Sequence, residues 1–537
     1  MLRRSNHARR TWCRYFFFIL LSVFLLPAPA CQTKTPRNPG FLYLRLNADP
    51  TTLDPALIVD VTGASIAAKL FNGLIRFDRQ LRIHPDIAER WTISDDGIVY
   101  TFHLRPGVRF SNGRDLTAED VKYSFERVLH PQTRSPRTWV LDRIKGAPAF
   151  MKGKAESVSG IRVRDDHTVE IHLEEPFVPF LSLLSLTTAY IVPREEVERW
   201  GSDFSFHVIG SGPFRLTEWR HGQQIHLALN PLYTVAAPHL QGIVYSIIPE
   251  DLTAMVEFEM GNIDIIQIPS AEFRRYKNHS RWNQYIIEQP GLNIYYLGLN
   301  CQRHPLDDSR IRKAVSLAID RDKMLHTVFE SRGQRAGSPI PPILRNRMPP
   351  PQKKDSYNPA KARILLEEAG YPNGLSLRIT IPALSESLDI VEVIQHYLQQ
   401  VGIRTSIMQL EWSSFKESLA KGETDAFWLS WWADYPDVEN FLYPLFHSRN
   451  HGAGGNRTFY ENSEVDRLIE QAQRSTDEVR LILYYQAESI ILQETPMVLF
   501  WNRTDHYLRQ PWVNNFVPSP LSTNDQGTEV SIGVPTS

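Results

Sequence analysis

The stretch Trp428-Leu429-Ser430-Trp431-Trp432-Ala433-Asp434-Tyr435-Pro436-Asp437 sets three indoles and two carboxylates within ten residues. Indoles offer flat apolar area with little loss of rotamer freedom, which suits a pocket that takes varied side chains. A carboxylate among them is costly to bury unless it meets a cation. A ligand ammonium is one such cation, and a charge-assisted hydrogen bond to it contributes roughly 1.5–3 kcal/mol. The structural alternatives are that the Trp residues are core beneath a loop, and that Asp434 caps the next helix or pairs with an Arg of the chain. For the set as a whole, with Asp434 and Asp437 interleaved, a ligand site is the stronger reading. The same two carboxylates are compatible with a glycosidase, but that chemistry depends on a carboxyl separation that a sequence does not carry.

Other catalytic patterns are missing. The chain has no G-x-S-x-G elbow, no H-E-x-x-H pair and no G-x-x-x-x-G-K-[ST] phosphate loop. His447 and His451 lie four apart, but Gly452-Ala453-Gly454-Gly455 follows and reads as loop, so no metal site is expected. No cofactor is expected either. The three cysteines, Cys13, Cys31 and Cys301, form no C-x-x-C pair and cannot make a disulfide scaffold. With 59 Lys and Arg against 60 Asp and Glu, there is no electrostatic case for nucleic acid. A hydrophobic content of 42% with 22% charged residues fits a folded globular chain, and 537 residues imply more than one domain.

The first thirty residues stand apart. Arg3, Arg4, Arg9, Arg10 and Arg14 come with no acid, the apolar run Tyr15 to Leu26 follows, and Pro27-Ala28-Pro29-Ala30 precedes Cys31. A basic start, a short apolar run and a small-residue cleavage site describe an export signal over 1–30. The apolar run falls short of the roughly twenty residues that cross a bilayer. Cys31 is expected to be the lipidated first residue of the mature chain, although Ala28 stands where such signals usually carry Leu. Ordinary cleavage would leave the same N-terminus without lipid. Residues 31–40 read as a tether. Without residues 1–30 the chain keeps 54 basic and 60 acidic residues, a formal net charge of −6. Cys301 is expected to be an unpaired buried thiol, unless an unlipidated Cys31 pairs with it.

The elements that must position these residues are legible in part. Residues 99–104 alternate after the turn Ser94-Asp95-Asp96-Gly97 and predict a strand with Tyr100, Phe102 and Leu104 on one face. Thr117 opens a helix whose stripe is Val121, Phe125, Val128 and Leu129, and Asp120 suits its positive end. Residues 167–173 alternate again. Residues 206–293 read mostly as strands and 331–352 as a Pro- and Gly-rich loop. Asp308-Ser309 precedes the helical stripe Ile311, Val315, Ala318 and Ile319, and Asn358-Pro359 starts another helix that Gly370 ends. Then comes strand 375–381, helix 388–400, strand 403–410, helix 413–421 and strand 425–431, with Gly402 and Gly422 closing the helices. This βαβαβ order implies parallel strands with right-handed crossovers and a ligand beyond their carboxyl ends. The Trp-Asp stretch sits at such an end.

Motifs along the chain carry a family resemblance. They are DPTTLDPA (49–56), LFNGLIRFD (70–78), IAERW (87–91), DGIVYTFHLRPGVRFSNGRDLTAEDV (96–121), GSGPFRL (210–216), GNIDI (261–265), DSRIRKAVSLAIDR (308–321), YNPAKARILLEEAGYPNG (357–374) and LSWWADYPDVENFL (429–442). In this order, over about 41–510, the chain closely resembles the bacterial family 5 extracellular solute-binding proteins, the peptide and nickel receptors of ABC importers. The resemblance implies an α/β, periplasmic-binding-protein-like fold (type II, cluster C): a two-lobe clamp with a hinge and an extra subdomain. Lobe I would take 41–80, 206–293 and 505–537, the extra subdomain 81–205 and lobe III 294–504.

It also implies an exported, monomeric, non-enzymatic receptor that gives a peptide-like solute to an ABC permease and its ATPase. In the peptide-binding members the Asp that here is Asp434 meets the ligand's α-ammonium. Trp431, Trp432, Trp412 and Asn72 fall on pocket positions. Two departures follow. Trp428 stands where an oligopeptide receptor has an Arg for the ligand carboxylate, and Glu386 where another has a His. Neither attracts a carboxylate, so the implied ligand is longer, modified or not a peptide. No His/Cys cluster supports nickel. A receptor for a sugar, metal complex or opine, and a secreted hydrolase, are the alternatives.

Overall fold

The computed structural model describes residues 37–351, 356–521, 523 and 525–533. The expected export signal, Cys31 and the tether as far as residue 36 lie outside them.

Among the described residues, twelve strands join in one mixed sheet. Its first half holds β1 (Phe41–Leu46), β2 (Phe214–Arg220), β3 (Gln224–Leu229), β4 (Gly242–Ile247), β5 (Ile265–Gln267) and β6 (Ile286–Pro290). The second holds β7 (Asn293–Leu299), β8 (Gly333–Arg335), β9 (Leu375–Pro382), β10 (Ile403–Leu410), β11 (Ala426–Trp432) and β12 (Met497–Arg509). The strand order is β10-β9-β11-β7-β12-β5-β1-β4-β3-β2, and β6 and β8 also pair with β12.

β12 belongs to both halves. Its residues Met497–Trp501 pair with β7, Thr504–Leu508 with β6 and Tyr507–Arg509 with β5. The changeover is clipped by Asn293, which is fully buried. Its Oδ1 accepts from the Arg503 N–H at 2.7 Å and its Nδ2 donates to the Arg503 carbonyl at 3.1 Å. Asn502 Nδ2 donates to the Asn293 carbonyl at 2.5 Å. Side-chain amides thus satisfy backbone groups where the strand ladder changes partners. A Cβ at Gly291 would lie 2.1 Å from Asn293 Nδ2, so only glycine passes this clip.

On one face of the first half, Ile66 and Leu70 of α1 (Val61–Leu70) pack with Leu42, Ile243 and Ile265. On the other, Met255, Phe258, Tyr276 and Trp282 cover Ile266 and Leu508. The stretch 206–293 is therefore not only strands. It holds helices at Asp251–Glu259 and Phe273–Lys277, because a sheet with apolar residues on both faces needs cover on both.

Between β1 and β2 in sequence, the strands Ala88–Ile93, Val99–Leu104, Thr168–His172 and Ile161–Asp165 make a separate antiparallel sheet in that order. Tyr100, Phe102 and Leu104 point into one core with Val121, Phe125 and Val128 of α2 (Ala118–Leu129). The Asp120 carboxylate accepts from the Thr117 N–H at 2.9 Å and from Arg114 at 2.7 and 2.9 Å, which fixes the helix start.

The βαβαβ run is present as β9, α3 (Ser385–Gln400), β10, α4 (Trp412–Ala420) and β11, with β9 parallel to both β10 and β11. Leu375, Leu377, Ile379 and Ile381 alternate into one core, and α3 gives it Ile390, Val391 and Ile394. Gly402, at a left-handed φ of +89°, turns the chain from α3 into β10. The segment 331–352, expected as loop, contributes β8, because Gly333–Arg335 find free edge positions opposite Trp501–Arg503. Asn358 caps the helix Pro359–Glu368 as its sequence predicts. Cys301 is a free thiol, partly exposed, and burial pushes its pKa up to about 11.

Candidate functional site

β12 runs from the second half of the sheet into the first and is antiparallel to both β7 and β5. β1 and β4 share the direction of β5, whereas β9 and β11 run opposite to β7. The carboxyl ends of β1, β4 and β5 therefore point toward the changeover from one side, and those of β9, β10 and β11 from the other. A cleft bounded by two such sets of ends is where an open α/β sheet binds ligands. Glu386 follows β9, Trp412 follows β10, and Trp432 to Asp437 follow β11.

The period of two along β11 separates its indoles. Trp428 and Trp432 share a face and Trp431 takes the other. Trp428 is only 3% exposed, with ring centroids 4.9 Å from Phe500 and 5.8 Å from Trp501. It is core, filled by the face that packs on β12. Trp432 stands at the strand end, 43% exposed, edge-on to Tyr295 at 6.5 Å. Trp431 is half-buried and its Nε1 donates to the Asn440 carbonyl at 2.9 Å. Trp412, 47% exposed, begins α4 with Lys416 Nζ 5.4 Å from its ring centroid.

Asn440 also fixes the acidic loop, its Oδ1 accepting from the Asp434 N–H at 3.0 Å. Asp434 Oδ1 accepts from Arg137 Nη1 at 3.2 Å, across a sequence separation of 297. Of the two structural alternatives for Asp434, pairing with an Arg of the chain is the one present. Asp437 is partly buried, its side chain 10% exposed, and accepts from Arg480 Nη2 at 2.5 Å. Glu439 is buried; it accepts from the Tyr435 hydroxyl and from Gln473 Nε2, and burial holds its carboxyl above the usual range. Asp434 and Asp437 are thus held by separate guanidinium groups, those of Arg137 and Arg480.

Glu386 lies beside two cations, Arg332 and Arg503. Arg332 Nη2 is 3.2 Å from Glu386 Oε1, and Arg332 Nη1 donates to Ser270 Oγ beyond the end of β5. Arg503 sits 3.3 Å from Asp505; burial opposes its charge, but Tyr295 and Asp505 outweigh burial and raise its pKa, with Glu386 adding to the effect. Sequence placed an acid here and expected nothing to draw a carboxylate. The fold brings Arg332 and Arg503 to the same place. A cavity of about 770 Å³ opens beside them, lined among others by Leu46, Asn47, Gln267, Arg503 and Tyr507.

Trp412, Trp431, Trp432, Asp434 and Glu386 therefore stand at or just beyond the carboxyl ends of β9, β10 and β11, with Trp431 on the opposite face of β11 from Trp432. Asn72 does not join them. It is 0% exposed, with Nδ2 donating to Asp86 at 2.7 Å and Oδ1 accepting from Ser211 at 3.1 Å, so its amide ties turns together instead of lining a pocket. Trp428 likewise stands behind the cleft wall. Arg137, Tyr295, Arg332 and Arg503 were not foreseen. Arg503 had a local signal, a cation just after the apolar run Met497 to Trp501, whereas Arg137 reaches Asp434 only through the fold.

Known proteins share this fold. Residues 82–453 match the family model described as bacterial extracellular solute-binding proteins, family 5 Middle. The heme-binding protein A of Haemophilus influenzae is 30% identical over 91% of this chain and 92% of its own length. The dipeptide-binding protein of Escherichia coli is 28% identical over 93% and 95%. Among solved structures, the ABC transporter-associated periplasmic binding protein DppA from Helicobacter pylori, in complex with the peptide STSA, superposes with a TM-score of 0.76 at 26% identity, covering 92% of this chain and 98% of that one. The fold is the two-lobe clamp of periplasmic binding proteins, and the chain belongs to the bacterial extracellular solute-binding proteins, family 5.

Proposed function

We propose that this chain is the extracytoplasmic receptor of an ABC importer, taking a peptide-like solute between its lobes and handing it to a membrane permease driven by an ATPase. The observation that carries this reading is the cleft itself: two sets of strand carboxyl ends face each other across the β12 changeover, with an exposed indole, a carboxylate and two arginines on its walls. The dipeptide-binding and peptide-complexed relatives support the ligand class. Trp432, Trp431 and Trp412 supply apolar contact, Asp434 faces the ligand's amino end, and Glu386 with Arg332 and Arg503 faces its carboxyl end. The protein works as a monomer and releases its ligand unchanged. Residues 1–30 direct export, Cys31 carries the lipid that holds the receptor at the membrane, and the hinge is the paired crossing at 290–293 and 501–504.

Calorimetric titration of the chain lacking residues 1–30 with a pool of di- to hexapeptides tests the reading. Saturable heat is expected, and Trp432→Ala should weaken it by about tenfold, the effect of losing part of one buried aromatic contact. Absence of heat with the peptide pool, alongside binding of a sugar, metal complex or opine, would replace peptide with that solute.

A further inference from the structure

The carboxylates at the end of β11 are all engaged. Asp437 is held by Arg480, Glu439 by Tyr435 and Gln473, and Asp434, the one most open to the cleft, by Arg137. Arg137 is not on a loose tip. Its N–H donates to Ser135 Oγ at 3.3 Å, and Ser135 Oγ donates to the Ala56 carbonyl at 2.6 Å. Two residues on, Trp139 meets the Tyr435 ring at 6.4 Å. The segment after α2 is thus tied down on both sides of Arg137, to Ala56 through Ser135 and to the acidic loop through Trp139. The Arg137 and Asp434 side chains are 25% and 34% exposed, so the pair is partly withdrawn from water.

A ligand ammonium arriving at Asp434 must displace Arg137 or lie beside it, and both weaken the contact. An amide fits better. Its N–H can donate to the carboxylate, while its carbonyl accepts from the guanidinium, which has five N–H donors in a fixed fork. We propose that Arg137 sets the ligand class: by holding Asp434 it makes the amino-end subsite a neutral ion pair, so the cleft selects peptide-like ligands whose amino end is uncharged, such as N-acylated or cyclised peptides. This rests on the peptide reading given above and narrows it.

The test is calorimetry on the chain lacking residues 1–30, with the same peptide pool in free-amine and N-acetylated form. The protein, Arg137→Gln and Arg137→Lys are compared. The unaltered protein should bind the acetylated pool about tenfold more tightly than the free one, Arg137→Gln should shift that ratio about tenfold toward the free amine, and Arg137→Lys, keeping the cation, should keep the preference. A ratio unchanged by Arg137→Gln, or an unaltered protein that favours the free amine, overturns the role of Arg137 and leaves the peptide reading standing. If neither pool binds any of the three proteins, the peptide reading falls and this inference with it.

Discussion

Burial works against the charge of Asp86. The carboxylate is almost fully enclosed, with Asn72, the Gly73 N–H and Gln526 as donors, yet burial outweighs them and Arg76 and raises its pKa to about 6. A raised folded pKa means that the stabilising contribution is full below the unfolded value near 3.8 and is lost as pH rises through about 6. Chemical denaturation of the protein and of Asp86→Asn across this range should show the unaltered protein losing up to about 3 kcal/mol relative to the variant between pH 4 and 7.5; a parallel pair of curves would contradict the assignment. At this scale the sequence was legible where chemistry is local. Trp432 and Asp434 stood out by type and spacing, and both stand at the carboxyl end of β11. Trp428 matched the same pattern but is core, because the pleat turns it onto Phe500 and Trp501. Asn72 matched a pocket motif and instead braces Asp86 fourteen residues on and meets Ser211 far along the chain.

At the level of elements, β12 carries the architecture. It is one strand with two sets of partners, and Asn293 supplies what neither partner strand can at the changeover. Asn293→Ala would leave the Arg503 N–H and carbonyl without those partners. The expected loss is about 2–4 kcal/mol in urea unfolding, together with faster amide exchange at Arg503. A loss below about 0.5 kcal/mol would show that the clip is redundant. The βαβαβ run could be read from sequence because its signals are local: alternation in β9, caps, and glycines such as Gly402 at the helix ends. The helices Asp251–Glu259 and Phe273–Lys277 were missed amid strands, since short helices that cover a sheet show little periodicity of their own. The partner exchange along β12 had no sequence signature at all, because it is a matter of which distant strands lie alongside.

For the whole molecule, family motifs pointed to two lobes and a clamp, and the fold agrees. What only the structure supplies is how the sides of the cleft meet. They touch at the hinge through Arg332 and Ser270, and at the rim through Arg137 and Asp434, with Val178 and Gln473 bonded farther out at 3.0 Å. These contacts join residues 62 to 297 positions apart and none is visible as a motif. In the function proposed above, a solute taken between the lobes is enclosed, held by both and released when the lobes part. The most direct test is native mass spectrometry of the chain lacking residues 1–30 after incubation with di- to hexapeptides, followed by mass analysis of what is released. A receptor of this kind gains the mass of one peptide per chain and gives it back intact. No mass gain, or recovery of the peptide in pieces, would contradict it.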